Sequence, residues 1–196
     1  MLFTNPTLFA AEAIQQNRRR LKFNPEDQLL NELLSFPEEE HENIVLTYLR
    51  QGYVDAYLTT LLAGSISSNA EKHFNPNFSP TTSYEIVPEN YNLAKSLLLQ
   101  SLADNLMLRL GIFYDSQISK FERNDTNLEG KAREVGKKYE KALEERHKSK
   151  IGLNICQVLE ELKTQTLQYI ALLQSIRDTS FKVSYVDLSG IRLDLS

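Results

Sequence analysis

Two stretches of this chain carry apolar side chains at helical spacing on most of their circumference, and helices of that kind have a place only inside a bundle. In the first, Ile44, Val45, Leu46, Tyr48, Leu49, Tyr53, Val54, Tyr57, Leu58, Leu61 and Leu62 leave a narrow polar stripe, which predicts a central helix. In the second, Leu93, Leu97, Leu98, Leu102, Leu106, Leu110, Phe113 and Ile118 predict a helix buried on most sides. Neither is a membrane span, because Gln100, Asp104, Asn105 and Arg109 interrupt the most apolar run, and that polarity is too costly at bilayer depth.

The boundaries follow from local chemistry. Asn5-Pro6 and Asn24-Pro25 each set a capping residue before a proline whose missing N–H costs nothing at the first helical position, predicting helices over 6–20 and 25–35. Pro37 opens the third, with Glu38, Glu39 and Glu40 favoured in its first turn by the helix dipole, and Gly64 stops it after Leu62. The prolines of 65–87 break the pattern, leaving a long loop with one extended piece at Tyr84–Val87. A fourth helix is expected from Pro88 to Arg123. A fifth should run from Leu128 to Arg177, kinked near Gly152, with Ile155, Val158, Leu159, Leu162, Tyr169, Leu172, Leu173 and Ile176 on its packing face.

From Phe181 the apolar period changes to two. Phe181, Val183 and Tyr185 alternate with polar residues, as do Ile191, Leu193 and Leu195 after the turn signal Ser189-Gly190. The expected fold is mainly α, a bundle of about five helices over residues 1–180, with the long 65–87 loop and a C-terminal β-hairpin arm over 181–196. A length of 196 residues suits one sizeable core.

Chemical motifs are sparse. Glu38 with His41 and Glu144 with His147 have the Glu-x-x-His spacing of di-metal carboxylate bundles, and Glu12, Glu32 and Asp104 are further candidate ligands. Their charged surroundings favour solvated helix faces over a metal site. Asp125 to Gly130 copies the start of a calcium loop, but its twelfth position, where a bidentate Glu is needed, is Gly136. Cys156 is the single cysteine, so no disulfide forms within the chain, and its apolar neighbours make it a packing residue. Neither a phosphate cradle nor a nucleophile elbow is present. The expectation is a protein that is not an enzyme and uses no metal or cofactor.

Charge suggests partners. The net charge is −4, yet Arg18, Arg19, Arg20 and Lys22 cluster, and Lys131, Arg133, Lys137, Lys138 and Lys141 belong to a basic segment over 131–150. An isolated hairpin is marginal in water, so Phe181, Val183, Tyr185, Ile191, Leu193 and Leu195 should bind a protein surface. These features point to a structural subunit of a homo-oligomer or hetero-assembly, for example a virion head-to-tail connector with its basic face near nucleic acid. The alternative is a cytosolic adaptor or regulator that binds protein or nucleic acid through 131–150. The expected location is the cytoplasm, or the virion if the chain is viral. The N-terminus places its apolar residues before its arginines, the reverse of an export signal.

Overall fold

The computed structural model describes residues 5–23, 27–71, 90–112 and 125–181. Among these, 88% are helical and no strand occurs, so the chain is mainly α. Asn5 caps α1 (Pro6–Arg20) by accepting a hydrogen bond from the Leu8 N–H at 2.9 Å. Asn90 does the same for α5 (Tyr91–Gly111) through the Leu93 N–H at 3.0 Å. In both, a side-chain oxygen satisfies one of the amides that a helix start leaves unpaired. Between them lie α2 (Gln28–Ser35), α3 (His41–Arg50) and α4 (Val54–Glu71).

Four sequence expectations are corrected by the fold. The single helix over 37–62 is a 3-10 turn at Glu38–Glu40 followed by α3 and α4, which part at Gly52. Gly52 has φ +85°, where a residue without Cβ is favoured. Nor does Gly64 end α4, which runs on to Glu71: Ser65 bonds back to the Leu61 carbonyl at 2.8 Å and Ile66 is buried. A glycine inside a helix costs only about 1 kcal/mol, which that burial offsets.

The expected fifth helix is also divided. α6 (Asp125–Ser149) starts at Asp125, so the calcium-like residues are its first turn. Lys150 at φ +57° and Gly152 at φ +64° then reverse the chain into a 3-10 turn at Leu153–Ile155 and α7 (Cys156–Thr164). A second break at Gln165 precedes α8 (Thr166–Ile176) and a π turn over Arg177–Phe181. Phe181 therefore belongs to a helical turn and does not begin a strand. The remaining hairpin positions Val183, Tyr185, Ile191, Leu193 and Leu195 lie outside the described residues, as do 72–89, which hold most of the expected loop, and 113–124.

Packing centres on α8, whose Tyr169, Ile170, Leu172, Leu173 and Ile176 are all fully buried. It touches α1, α5 and α6 together. α4 is enclosed over most of its first three turns, with Val54, Ala56, Tyr57, Leu58, Leu61 and Leu62 buried, whereas α3 turns Leu46 outward. The central role expected of residues 37–62 thus belongs to the α4 part, shared with α8. α5 and α6 form the most extensive helix pair, and contacts of Asn90 with Ser149, Ser96 with Ala142 and Asp104 with Tyr139 make it antiparallel. A smaller cluster of Ala11, Leu29, Leu33, Ile44, Val45 and Ala56 joins α2 and α3 to α1 and α4. No helix of the described residues is long and apolar enough to cross a membrane.

Candidate functional site

Two buried polar networks tie these helices together. In the first, Asp104 of α5 is fully buried and accepts hydrogen bonds from the Tyr57 hydroxyl of α4 and the Tyr139 hydroxyl of α6, each at 2.7 Å. Gln100 donates to the Tyr57 hydroxyl at 2.9 Å and accepts from Arg146 at 3.1 Å. Arg146 also donates to Ser96 at 3.1 Å, and Ser96 donates to the Ala142 carbonyl at 2.7 Å. Burial pushes the Asp104 carboxyl up to about 7, although the two tyrosine hydrogen bonds oppose the rise. Tyr139 is held well above the ordinary tyrosine value by burial and by the neighbouring Asp104. Ionised tyrosines do not arise in such a setting.

The second network contains Arg18, which the sequence assigned to a basic face and which the fold turns inward. It is 5% exposed and pairs with Asp55, Nε lying 2.8 Å from Oδ1. Gln15 donates to the other Asp55 oxygen at 3.0 Å. The guanidinium lies 4.5 Å from the centroid of the Phe23 ring and donates to the Tyr169 hydroxyl, which in turn donates to Glu161. Beside this network a cleft of about 400 Å³ is lined by Arg18, Phe23, Gln51, Tyr53, Gln157, Glu161 and Gln165. Its one buried cation is already matched by Asp55.

Arg19, Arg20 and Lys22 are exposed, and Arg19 pairs with Asp27 at 2.7 Å. Along α6 and its end, exposed Arg133, Lys137, Lys141, Lys148 and Lys150 alternate with exposed Glu129, Glu134, Glu140 and Glu144. Lys131 and Lys138 are half-buried, and Lys138 sits 3.5 Å from Glu134. Arg146, another cation of the 131–150 segment, is in the core. The surface of this segment is therefore an interleaved one of the kind that i,i+4 pairing produces.

The Glu-x-x-His pairs do not converge. His41 is buried, with Nδ1 2.9 Å from Asn5 Nδ2 and Nε2 3.1 Å from the Phe36 carbonyl, while Glu38 is exposed. Glu144 and His147 are exposed on α6, Glu32 accepts from the Tyr48 hydroxyl at 2.6 Å, and Asp104 serves the tyrosines. No group of three His, Cys, Asp or Glu side chains comes together among the described residues. Cys156, half-buried at the start of α7, has its thiol pushed up by burial, which keeps it protonated and a poor nucleophile.

One feature of α5 escaped the sequence reading, which took this helix as buried on most sides. Its exposed residues are Tyr91, Lys95, Leu98, Leu102 and Arg109. They fall at intervals of four, three, four and seven, a single straight face, and the tyrosine and leucines are 75%, 55% and 42% exposed. The signal was present in the spacing: Leu98 and Leu102 lie outside the row formed by Ala103, Met107 and Leu110. No family model matches the chain, and no curated protein or solved structure shows a significant similarity to it.

Proposed function

We propose that the chain is a non-enzymatic subunit of a larger protein assembly, and that it joins that assembly through the outer face of α5. The carrying observation is the row Tyr91, Leu98 and Leu102, left open to water on a helix whose inner face is fully engaged. Apolar area gains about 25 cal/mol for each Å² removed from water, so an aligned row of large side chains favours a covering surface. The buried polar groups, by contrast, are spent on one another: Asp104, Tyr57, Tyr139, Gln100 and Arg146 hold three helices in register. That is work of positioning.

The adaptor reading, with nucleic acid held along 131–150, gains no support from a face whose charges alternate. The connector form of the assembly reading needs the hairpin and the 65–87 loop, and most of their residues lie outside those described. The test is native mass measured over a range of concentrations, alone and with co-expressed neighbouring gene products. Association that Leu98→Glu abolishes, with the helical circular dichroism unchanged, is the expected result. A strictly monomeric chain, indifferent to the substitution in every mixture, would overturn it.

A further inference from the structure

The open face of α5 has a spacing that an antiparallel second copy of the same helix can meet. Counting outward from Gln100, Leu98 and Leu102 lie two residues away on either side, Lys95 and half-buried Asn105 five, and Tyr91 and Arg109 nine. Successive positions are four, three, four, three and four residues apart, the alternation that keeps a seam on one side of a helix and lets knobs enter holes on a facing helix. An antiparallel neighbour places the first kind of seam position opposite the second. Each apolar or charged position then meets a matching one, provided that the neighbour carries the same sequence reversed.

We propose that α5 pairs with α5 of a second copy of this chain, antiparallel about a two-fold axis at the level of Gln100, with Leu98 against Leu102, Lys95 against Asn105 and Tyr91 against Arg109. The inference rests on the assembly reading above and specifies its partner. Three properties support it. The leucines occupy the centre, where a contact is driest, and polar residues take the ends, which is the arrangement of core and rim in specific interfaces. The Tyr91 ring, 75% exposed, presents a π-face to the guanidinium of the second copy's Arg109. The Lys95 ammonium, held at 2.9 Å by Glu145 of its own chain, meets an amide; in a parallel pair Arg109 would face Arg109, a like-charge contact along the seam. An isologous contact of this kind closes as a dimer, since each surface meets its own copy. One helix face lies at the small end of specific interfaces, under about 1,200 Å² in total, so the dimer is reversible and is sought at tens of micromolar chain.

The test uses the full chain with Cys156→Ala, so that introduced cysteines are the sole thiols. Tyr91→Cys and Arg109→Cys chains, one isotopically labelled, are oxidised separately and as an equal mixture. Within an antiparallel pair the two residues 91 are about 27 Å apart, eighteen residues at 1.5 Å each, while residue 91 faces residue 109. The expected result is a disulfide between the two kinds of chain at least tenfold above either chain alone, abolished by Leu98→Glu. Association that yields 91-to-91 disulfides, or none, overturns the antiparallel pairing and leaves the assembly reading standing. A chain that stays monomeric at every concentration but binds another protein through Leu98 overturns the self-pairing in the same way. A monomer that binds nothing through this face overturns both.

Discussion

Asp104 is a carboxyl group with two tyrosine hydroxyls for company and, among the described residues, no cation bonded to it, and that has a measurable consequence. Its value rises from 3.8 to about 7 on folding. Between those limits the folded chain keeps a proton that the unfolded chain releases, so the contribution of this group to stability is fully present below about pH 4. It is lost as the pH climbs through 7. Asn at 104 does not titrate and is close in shape. Unfolding by urea should therefore show the difference between the parent and Asp104→Asn changing by a few kcal/mol between pH 4.5 and 7.5, with the parent gaining relative to the variant on acidification. A difference that stays flat across this range would mean that Asp104 is not a buried, cation-free acid. The Arg18–Asp55 pair behaves differently, because each charge answers the other. Asp55→Ala strands the guanidinium at 5% exposure and should cost about 3–5 kcal/mol in denaturant unfolding. Arg18→Met with Asp55→Leu leaves no orphaned charge, and should cost clearly less than the single change.

At the level of helices and turns, the legible parts were those written in adjacent residues. Asn5-Pro6 announced α1, and Gly152 was read as a kink at the place where the chain reverses. Gly52 was not legible as a break, because apolar spacing continues across it from Leu49 to Val54 and Tyr57 and a period count sees one helix. Only the direction of α4 demands the turn: it must bring Asp55 back to Arg18 at the other end of α1. The break at Gln165 was hidden in the same way, with no glycine or proline to mark it. Gly52→Ala tests the turn. The new methyl would lie 2.7 Å from the Gln157 amide oxygen and sit at φ +85°. The exposed Gln157 side chain can swing away, so the backbone sets most of the cost, about 1–2 kcal/mol in thermal unfolding. Adding Gln157→Ala should recover little of it. Full recovery would place the strain in the side chain instead.

Across the whole molecule, the sequence read as a bundle and is one, but which helix stands at its centre depends on contacts between distant residues. Tyr57 and Tyr139 reach Asp104 across 47 and 35 positions, and no periodicity within a single helix records that. The same holds for α8, which looked like the tail of a long helix and instead fills the space between α1, α5 and α6. It comes close at Gly111, where an added Cβ would lie 2.3 Å from the Cβ of Leu173, and Gln174 donates to the adjacent Leu110 carbonyl at 3.1 Å. Gly111→Ala must therefore push the end of α5 away from α8. Because α5 is also bonded to α6 and α4 through Asp104, the displacement cannot stay local. A loss of about 3 kcal/mol, within a single unfolding transition, is expected by calorimetry. Leu173→Ala offers no rescue, since the atom that collides is the Cβ that alanine retains, and it also removes a fully buried side chain. If the double variant were instead more stable than Gly111→Ala alone, the two helices would not meet at backbone distance, and the account of α8 as the wedge holding three helices apart at fixed spacing would fail.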